Sequence, residues 1–388
     1  MEPIFSAVSS NVHHLYTLLQ CIGFSHRATV QITPDGIRFS VEEARVIQGL
    51  AFLDKALFSN YTFNPPNKED DTSQQLPGES DDSPESELYP CFVISLSALL
   101  ETLKIFSIND SSAVNSSRSA PMQTSNHSSS NAFTAPSLLL DHSCTLQYLQ
   151  TGSSLSVTLN EAGVKTTCDL TTYEPEEGEI DIPLQRNAII MKIIMRSAWL
   201  HNAITELDAT NPTALKISAS ATHKPFFALS GTGGPFSEST VEFSVDQQHK
   251  QSASSTAETH HKVLAEDGSS RARAKRSKLA PTVTETFLVS PPSSRGPRII
   301  EHYRFALIRK AMRAMAVANK VSIRGDRQGV LSLQFMIELD GSSAGGASIR
   351  SRPPAGQPLG DNVSFVDFRF VPLIEGEAEE GLEEDTGR

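Results

Sequence analysis

VSIRGDRQGVLSLQFMI, residues Val321–Ile337, alternates apolar and polar side chains on either side of a short polar break. Val321 and Ile323 stand against Ser322 and Arg324, and Leu331, Leu333 and Phe335 stand against Ser332 and Gln334. A period of two turns every second side chain to one face, so the stretch predicts two β-strands with one buried side each. The same alternation recurs at Ile37/Phe39/Val41, Leu155/Val157/Leu159, Leu215/Ile217 and Val241/Phe243/Val245. Thr33-Pro34-Asp35-Gly36 is a turn signal between two such runs, combining a fixed φ at proline with a glycine.

Helical spacing occurs in four places. Over about 10–22 it groups Val12, Leu15, Leu18, Leu19 and Ile22 on one face, and over about 97–106 it groups Leu99, Leu100, Leu103 and Phe106 behind Ser95/Ser97. Over about 187–207, with Asn187 as N-cap, it turns Ile190, Ile193, Ile194, Ile204 and Leu207 inward; over about 304–318 it does so for Ile308, Met312 and Met315. Each helix is followed by a small set of strands joined by tight turns. This order makes a weak fourfold repeat of antiparallel units and excludes a parallel βαβ sheet. The expected fold is α+β with two similar domains: residues 1–172 and 184–373, an exposed connector at 173–183, and a tail at 374–388. Stretches 67–90, 110–137, 246–300, 341–361 and the tail carry few large apolar side chains and read as disordered insertions.

The 388 residues carry a formal charge of -12, but unevenly. Residues 68–87 hold a net -7 and residues 374–388 a net -6, so the acidity belongs to appendages and the remainder is close to neutral. Cys21, Cys91, Cys144 and Cys168 lie far apart in apolar segments, which predicts buried reduced thiols; no Cys/His spacing suits a metal and no cofactor is implied. The opening MEPIFSAVSS lacks the pattern of a secretory signal, and the apolar run Ala188–Met195 is too short to span a bilayer. A soluble intracellular protein with no membrane partner is expected.

Over residues 301–327 there are seven Lys/Arg against two acids. With Ile308, Met312 and Met315 inward, Arg309, Lys310 and Arg313 fall on the outer helix face, with almost no acids at i±4 to pair them. Lys192 and Arg196 lie four apart on the predicted third helix, Lys104 lies on the second, and the first offers only His13 and His14. Such faces suit a run of phosphates, contacted without reading base sequence. A solvated helix face is the plainer alternative for any one of them. Trp199 stands near the Lys192/Arg196 side, packed under a loop or approaching a partner. Arg271, Arg273, Lys275, Arg276 and Lys278 form a basic cluster within a polar insertion, which reads as a nuclear import signal or a nucleic-acid tether.

Val321–Ile337, together with Glu174–Glu177, Thr205–Asp208 and the stretch Gly36–Phe52, resembles the Rad-one subunit family of the DNA-damage checkpoint clamp, in a fungal-type form with long insertions. That resemblance implies the PCNA-like sliding-clamp fold, with antiparallel sheets outside and four helices on the inner face of a ring. It further implies a heterotrimer with Rad-nine-like and Hus-one-like subunits, a dedicated clamp loader, checkpoint and repair partners, and sequence-independent contact with double-stranded DNA in the nucleus. By the same resemblance Lys104, Lys192, Arg196, Arg309, Lys310 and Arg313 face DNA. Glu174, Pro175, Glu176, Glu177, Ile180 and Ile182, in the connector, border a groove for partner peptides. The chain departs from the family pattern in its large insertions, in Trp199, and in the concentration of basic charge in its second half.

The rival function is a 3'-5' DNA exonuclease acting in repair. Two-metal phosphodiester cleavage needs converging carboxylates, whereas Asp35, Glu42, Glu43, Asp54, Glu101, Asp141, Glu161 and Asp169 are scattered, and His260-His261 lies in a segment that reads as disordered. No GxxxxGK[ST], HExxH or GxSxG occurs. A sequence-specific DNA reader would need a groove-entering module, and none is visible. A non-enzymatic clamp subunit is the expectation.

Overall fold

A computed structural model describes residues 2–65, 89–115, 143–161, 164–175, 181–235, 238–245, 284–292, 296–338 and 363–374. The acidic loop, the basic cluster Arg271–Lys278, the acidic tail, and Glu176, Glu177 and Ile180 of the connector lie outside the described residues, as do Asp141 and His260-His261.

Each helix stands directly after a short strand, and this is the unit that repeats. The first repeat is β1 (Phe5–Ser9), α1 (Val12–Cys21), β2 (Arg27–Thr33), β3 (Gly36–Glu43) and β4 (Ile47–Asp54), with β5 (Asn60–Phe63) appended. The second is β6 (Cys91–Ser95), α2 (Leu96–Asn115), β7 (Ser143–Tyr148), β8 (Leu155–Glu161) and β9 (Val164–Leu170). The third is β10 (Ile189–Arg196), α3 (Ser197–Asp208), β11 (Ala214–Ala219), β12 (Phe227–Thr232) and β13 (Glu238–Phe243), with β14 (Thr284–Val289) appended. The fourth is β15 (Ile299–Arg304), a helix in two pieces, α4 (Phe305–Arg309) and α5 (Met312–Val317), then β16 (Lys320–Asp326), β17 (Leu331–Glu338) and β18 (Val363–Phe370).

The chain forms two compact units. The first holds Met1–Pro183, Val317–Asn319 and Gln334–Phe370; the second holds Leu184–Ala316, Lys320–Leu333 and the residues from Val371 onward. The first unit thus takes back residues 334–370, which linear order assigns to 184–373. The reason is packing: β18 pairs antiparallel with β4, Phe368 opposite Gly49 and Phe370 opposite Ile47. The buried Phe368 ring lies 6.0 Å from Phe24 and 5.9 Å from Phe335. Gly49 is needed there, since a Cβ would come within 2.8 Å of the Phe24 ring.

In the first unit one sheet runs β5-β1-β7-β8-β9 and a second run is β18-β4-β3-β2-β6. Asn11 caps α1 by accepting from the His14 N–H at 3.1 Å, and Ser95 caps α2 through the Ala98 N–H at 3.3 Å. Leu15 and Leu19 of α1 and Leu99 and Leu103 of α2 close over inward residues of both sheets, such as Phe5 and Phe39, as one apolar core. In the second unit a sheet runs β13-β12-β11-β15, and β14, β10 and β16 form a second run. There α3 packs on β10, β12, β13 and β16, and α4 on β11 and β15.

Four expectations are corrected. The third helix does not begin near 187: Ile189–Arg196 is a strand, and α3 spans Ser197–Asp208. IIMKIIMR satisfies both periods, because Ile190, Ile193 and Ile194 mimic helical spacing while Met191, Ile193 and Met195 alternate inward against Lys192 and Arg196. A register shift between Ile189 and Met191 lets Ile190 and Met191 both be buried. Part of the supposed insertion 246–300 is a strand, since Thr284–Val289 pairs along β10. The second helix runs on to Asn115, into the stretch expected to be disordered from 110. The four cysteines are not uniformly buried: Cys21 and Cys144 are, Cys91 is exposed and Cys168 is intermediate.

Candidate nucleic-acid-facing helix layer

The basic residues of the second unit are placed by a helix pair. The Ser197 hydroxyl, at the start of α3, donates to the Met315 carbonyl of α5 at 2.8 Å, and Asp208, at the end of α3, meets Arg309 Nε of α4 at 3.3 Å. The two helices are therefore antiparallel and tied at both ends. Between α4 and α5 the ladder tightens, with Lys310 N–H donating to Leu307 O and Ala311 N–H to Ile308 O. Ala311 and Ala314 are fully buried beside Ile308 and Met315, and Met312 is only partly covered. The inward face is thus Ile308, Ala311, Ala314 and Met315, not Ile308, Met312 and Met315.

Arg309 and Arg313 are exposed and Lys310 is half-covered. The expected absence of pairing does not hold: Arg309, still 53 % exposed, has its acid on the neighbouring helix, which i±4 spacing within one helix does not reveal. Lys310 and Arg313 also make contacts. In the first unit Lys104 is exposed on α2, and His13 is exposed on α1.

Lys192 and Arg196 are not on a helix. They lie on β10, on the face opposite the buried Met191, Ile193 and Met195, and so on the side away from α3. The helix α3 itself, SAWLHNAITELD, contains no Lys or Arg. Trp199 is 42 % exposed on its first turn, so it is not packed under a loop.

The end of the connector is pinned within the first unit. Asp181 accepts from Arg38 Nη2 and, at 2.6 Å, from Gln48 Nε2. Gln48 Oε1 accepts the Ile182 N–H at 3.0 Å, and Arg369 Nη1 donates to Ile182 O at 2.7 Å. Partial burial pushes the Asp181 carboxyl up, but the charges and hydrogen bonds of Arg38, Gln48 and Arg369 outweigh it and hold it below the ordinary carboxylate range. Ile182 is buried, whereas Glu174 is exposed and Pro175 half-buried. Sequence spacing could not have found this cluster, whose members come from β3, β4, β18 and the connector.

The scattered carboxylates have local roles. Asp35 pairs with Lys55 at 2.9 Å in its turn, and Asp169 accepts from Ser156. Among the described residues no three His, Cys, Asp or Glu form a group that could hold a metal ion. Burial pushes the Cys144 thiol up to about 12, which leaves it an unreactive core residue. No helix among the described residues is long and apolar enough to cross a membrane.

Two α+β units, each built from two strand–helix–strands repeats, define the sliding-clamp class of fold. The PCNA of Thermococcus kodakaraensis matches it with a TM-score of 0.52, covering 95% of this chain and 100% of that one at 14% identity. The chain belongs to the family described as repair protein Rad1/Rec1/Rad17, whose model matches residues 4–337. It is 28% identical over 375 residues to the DNA damage checkpoint control protein rad1 of Schizosaccharomyces pombe, covering 95% of this chain and 87% of that protein. Against the cell cycle checkpoint protein RAD1 of Homo sapiens it is 28% identical over 335 residues, 86% of each. A fungal relative, the DNA repair exonuclease REC1 of Mycosarcoma maydis, is 27% identical over 239 residues, 59% of this chain but only 47% of that protein. Family and fold make this chain a clamp-type protein of the DNA-damage response and not an enzyme.

Proposed function

We propose that the chain is one subunit of a heterotrimeric ring, completed by Rad-nine-like and Hus-one-like subunits. A clamp loader places it at damaged DNA in the nucleus, where it encircles duplex DNA and recruits checkpoint and repair factors. The observation that carries this is the basic helix face of the second unit, Arg309, Lys310 and Arg313 on the α4–α5 helix that lies antiparallel to α3, in a clamp fold; Lys104, exposed on α2 of the first unit, is a separate candidate. Cations on helices that do not enter a groove suit phosphates and allow passage along DNA without base readout. Lys192 and Arg196 are not part of this surface. The connector, with Glu174 and Pro175 exposed or half-exposed and Ile182 anchored, borders the groove for partner peptides. The basic cluster Arg271–Lys278 serves nuclear import.

The test is topological. Co-expressed with its two partners, the chain should yield a complex that stays on closed circular DNA and runs off linear DNA. A chain that binds both forms equally and alone would overturn the ring. Charge reversal at Arg309, Lys310 and Arg313 should shorten retention on circles while the complex still assembles. Loss of assembly would make these residues interfacial instead.

A further inference from the structure

On one face of β10 and β16 two cross-strand pairs, separated by the pair Ile194–Ser322, are cationic: Lys192 stands opposite Arg324, and Arg196 opposite Lys320. Like charges directly opposite each other weaken a sheet, so fold stability does not explain them. The core is served by the other face, where Met191, Ile193, Met195, Val321 and Ile323 are buried. Lys320 is held by Glu285 of β14 at 2.8 Å and Arg324 donates to Ser332 Oγ at 2.9 Å, while Lys192 and Arg196 are exposed. Glu285 and the buried, turn-forming Asp326 are the acids on these three strands. Directly opposite Lys192 on β14 lies Leu288, 51 % exposed.

We propose that this face of β14, β10 and β16 docks an extended acidic peptide segment of a partner protein. Along β10 the two cationic rows are four residues apart, about 13 Å in a strand, and within each row the Cβ atoms are about 5 Å apart. An extended peptide repeats its same-side chains every ~7 Å. Acids at positions i and i+4 therefore fall on the two rows, and the residue at i+2 falls over Ile194 and Ser322. Leu288 favours a peptide over duplex nucleic acid, because an apolar side chain beside the cations has a partner in a peptide and none in a sugar-phosphate backbone; the single-stranded arm of the test addresses unpaired bases, which can meet it. The surface lies on the side of the sheet away from α3, and the proposal does not depend on ring formation.

The test uses the full chain and fluorescence anisotropy at low salt. The probe is a labelled nine-residue peptide with glutamates at alternate positions and one leucine; its glutamine counterpart and short single- and double-stranded oligonucleotides are the other arms. The glutamate peptide should bind and the glutamine peptide should not. The double variant Lys192→Glu/Arg196→Glu should weaken binding roughly tenfold or more, a loss that shrinks as salt is raised, and Leu288→Ser should weaken it less. Lys192→Glu alone should also weaken binding and should melt at or above the wild-type temperature, because it turns a like-charged pair into an opposite one; its binding loss is then not a loss of fold. Equal binding of the two peptides, or unchanged binding by the double variant, overturns the proposal. So does a double variant that loses oligonucleotide binding alone.

Discussion

Asp326 is almost wholly buried, and its carboxylate organises the turn between β16 and β17. Oδ1 accepts the N–H groups of Gln328 at 2.9 Å and Val330 at 3.0 Å, and Oδ2 accepts that of Gln185 at 3.0 Å. Gly329, with φ of 86°, supplies the left-handed step that closes the turn. Asp326→Ala leaves these donors without a partner and should cost about 2–3 kcal/mol, seen as a lower urea midpoint; a loss below ~0.5 kcal/mol would show that water replaces the carboxylate. Asp181 makes a different prediction. Its carboxyl is held below its unfolded value, so its contribution is complete above about pH 4 and is lost as pH falls through the folded value. With a side chain 43% exposed, the Arg38–Asp181 pair is worth only about 1 kcal/mol after solvent screening. The stability gap between wild type and Asp181→Asn should be full at neutral pH and close in acid; a gap independent of pH would mean that packing, not charge, holds the connector. Asp326 stands within the motif VSIRGDRQGVLSLQFMI, so its turn was legible from the chain, whereas its bond to Gln185 and the whole Asp181 cluster join residues far apart in sequence.

At the level of elements, strands were read more reliably than helices, because alternation over five or more residues has few rivals. Ile37/Phe39/Val41 and Leu331/Leu333/Phe335 are buried as expected. The segment IIMKIIMR fits two periods at once, and only its register against β14 and β16 decides between them. The broken fourth helix was out of reach for another reason. Ala311 and Ala314 are as well suited to solvent as to a close contact, and spacing alone favoured the larger Met312 as the inward residue. Their burial predicts that Ala314→Leu overpacks the buried face of α5, costing about 1–3 kcal/mol in thermal or urea denaturation. Met312→Leu should change little. The reverse order would restore Met312 to the core.

Over the whole molecule, charge separates by place. The formal -12 sits in two appendages, and the second unit carries cations on two of its surfaces, the face of α4–α5 and the β10–β16 face. Fold class and repeat were visible in the sequence because they are written in local patterns. The division between units was not, since residues 334–370 belong with a core in which β18 pairs with β4, more than three hundred residues earlier. That pairing has a consequence for biosynthesis. Strand β4 leaves the ribosome early and waits through most of translation for β18, presenting an open edge and the groove that Phe368 will fill. Contacts of such long sequence separation form slowly, and unpaired edges in waiting chains invite misassociation. A chain stopped before Val363 therefore ends with its first core unsealed.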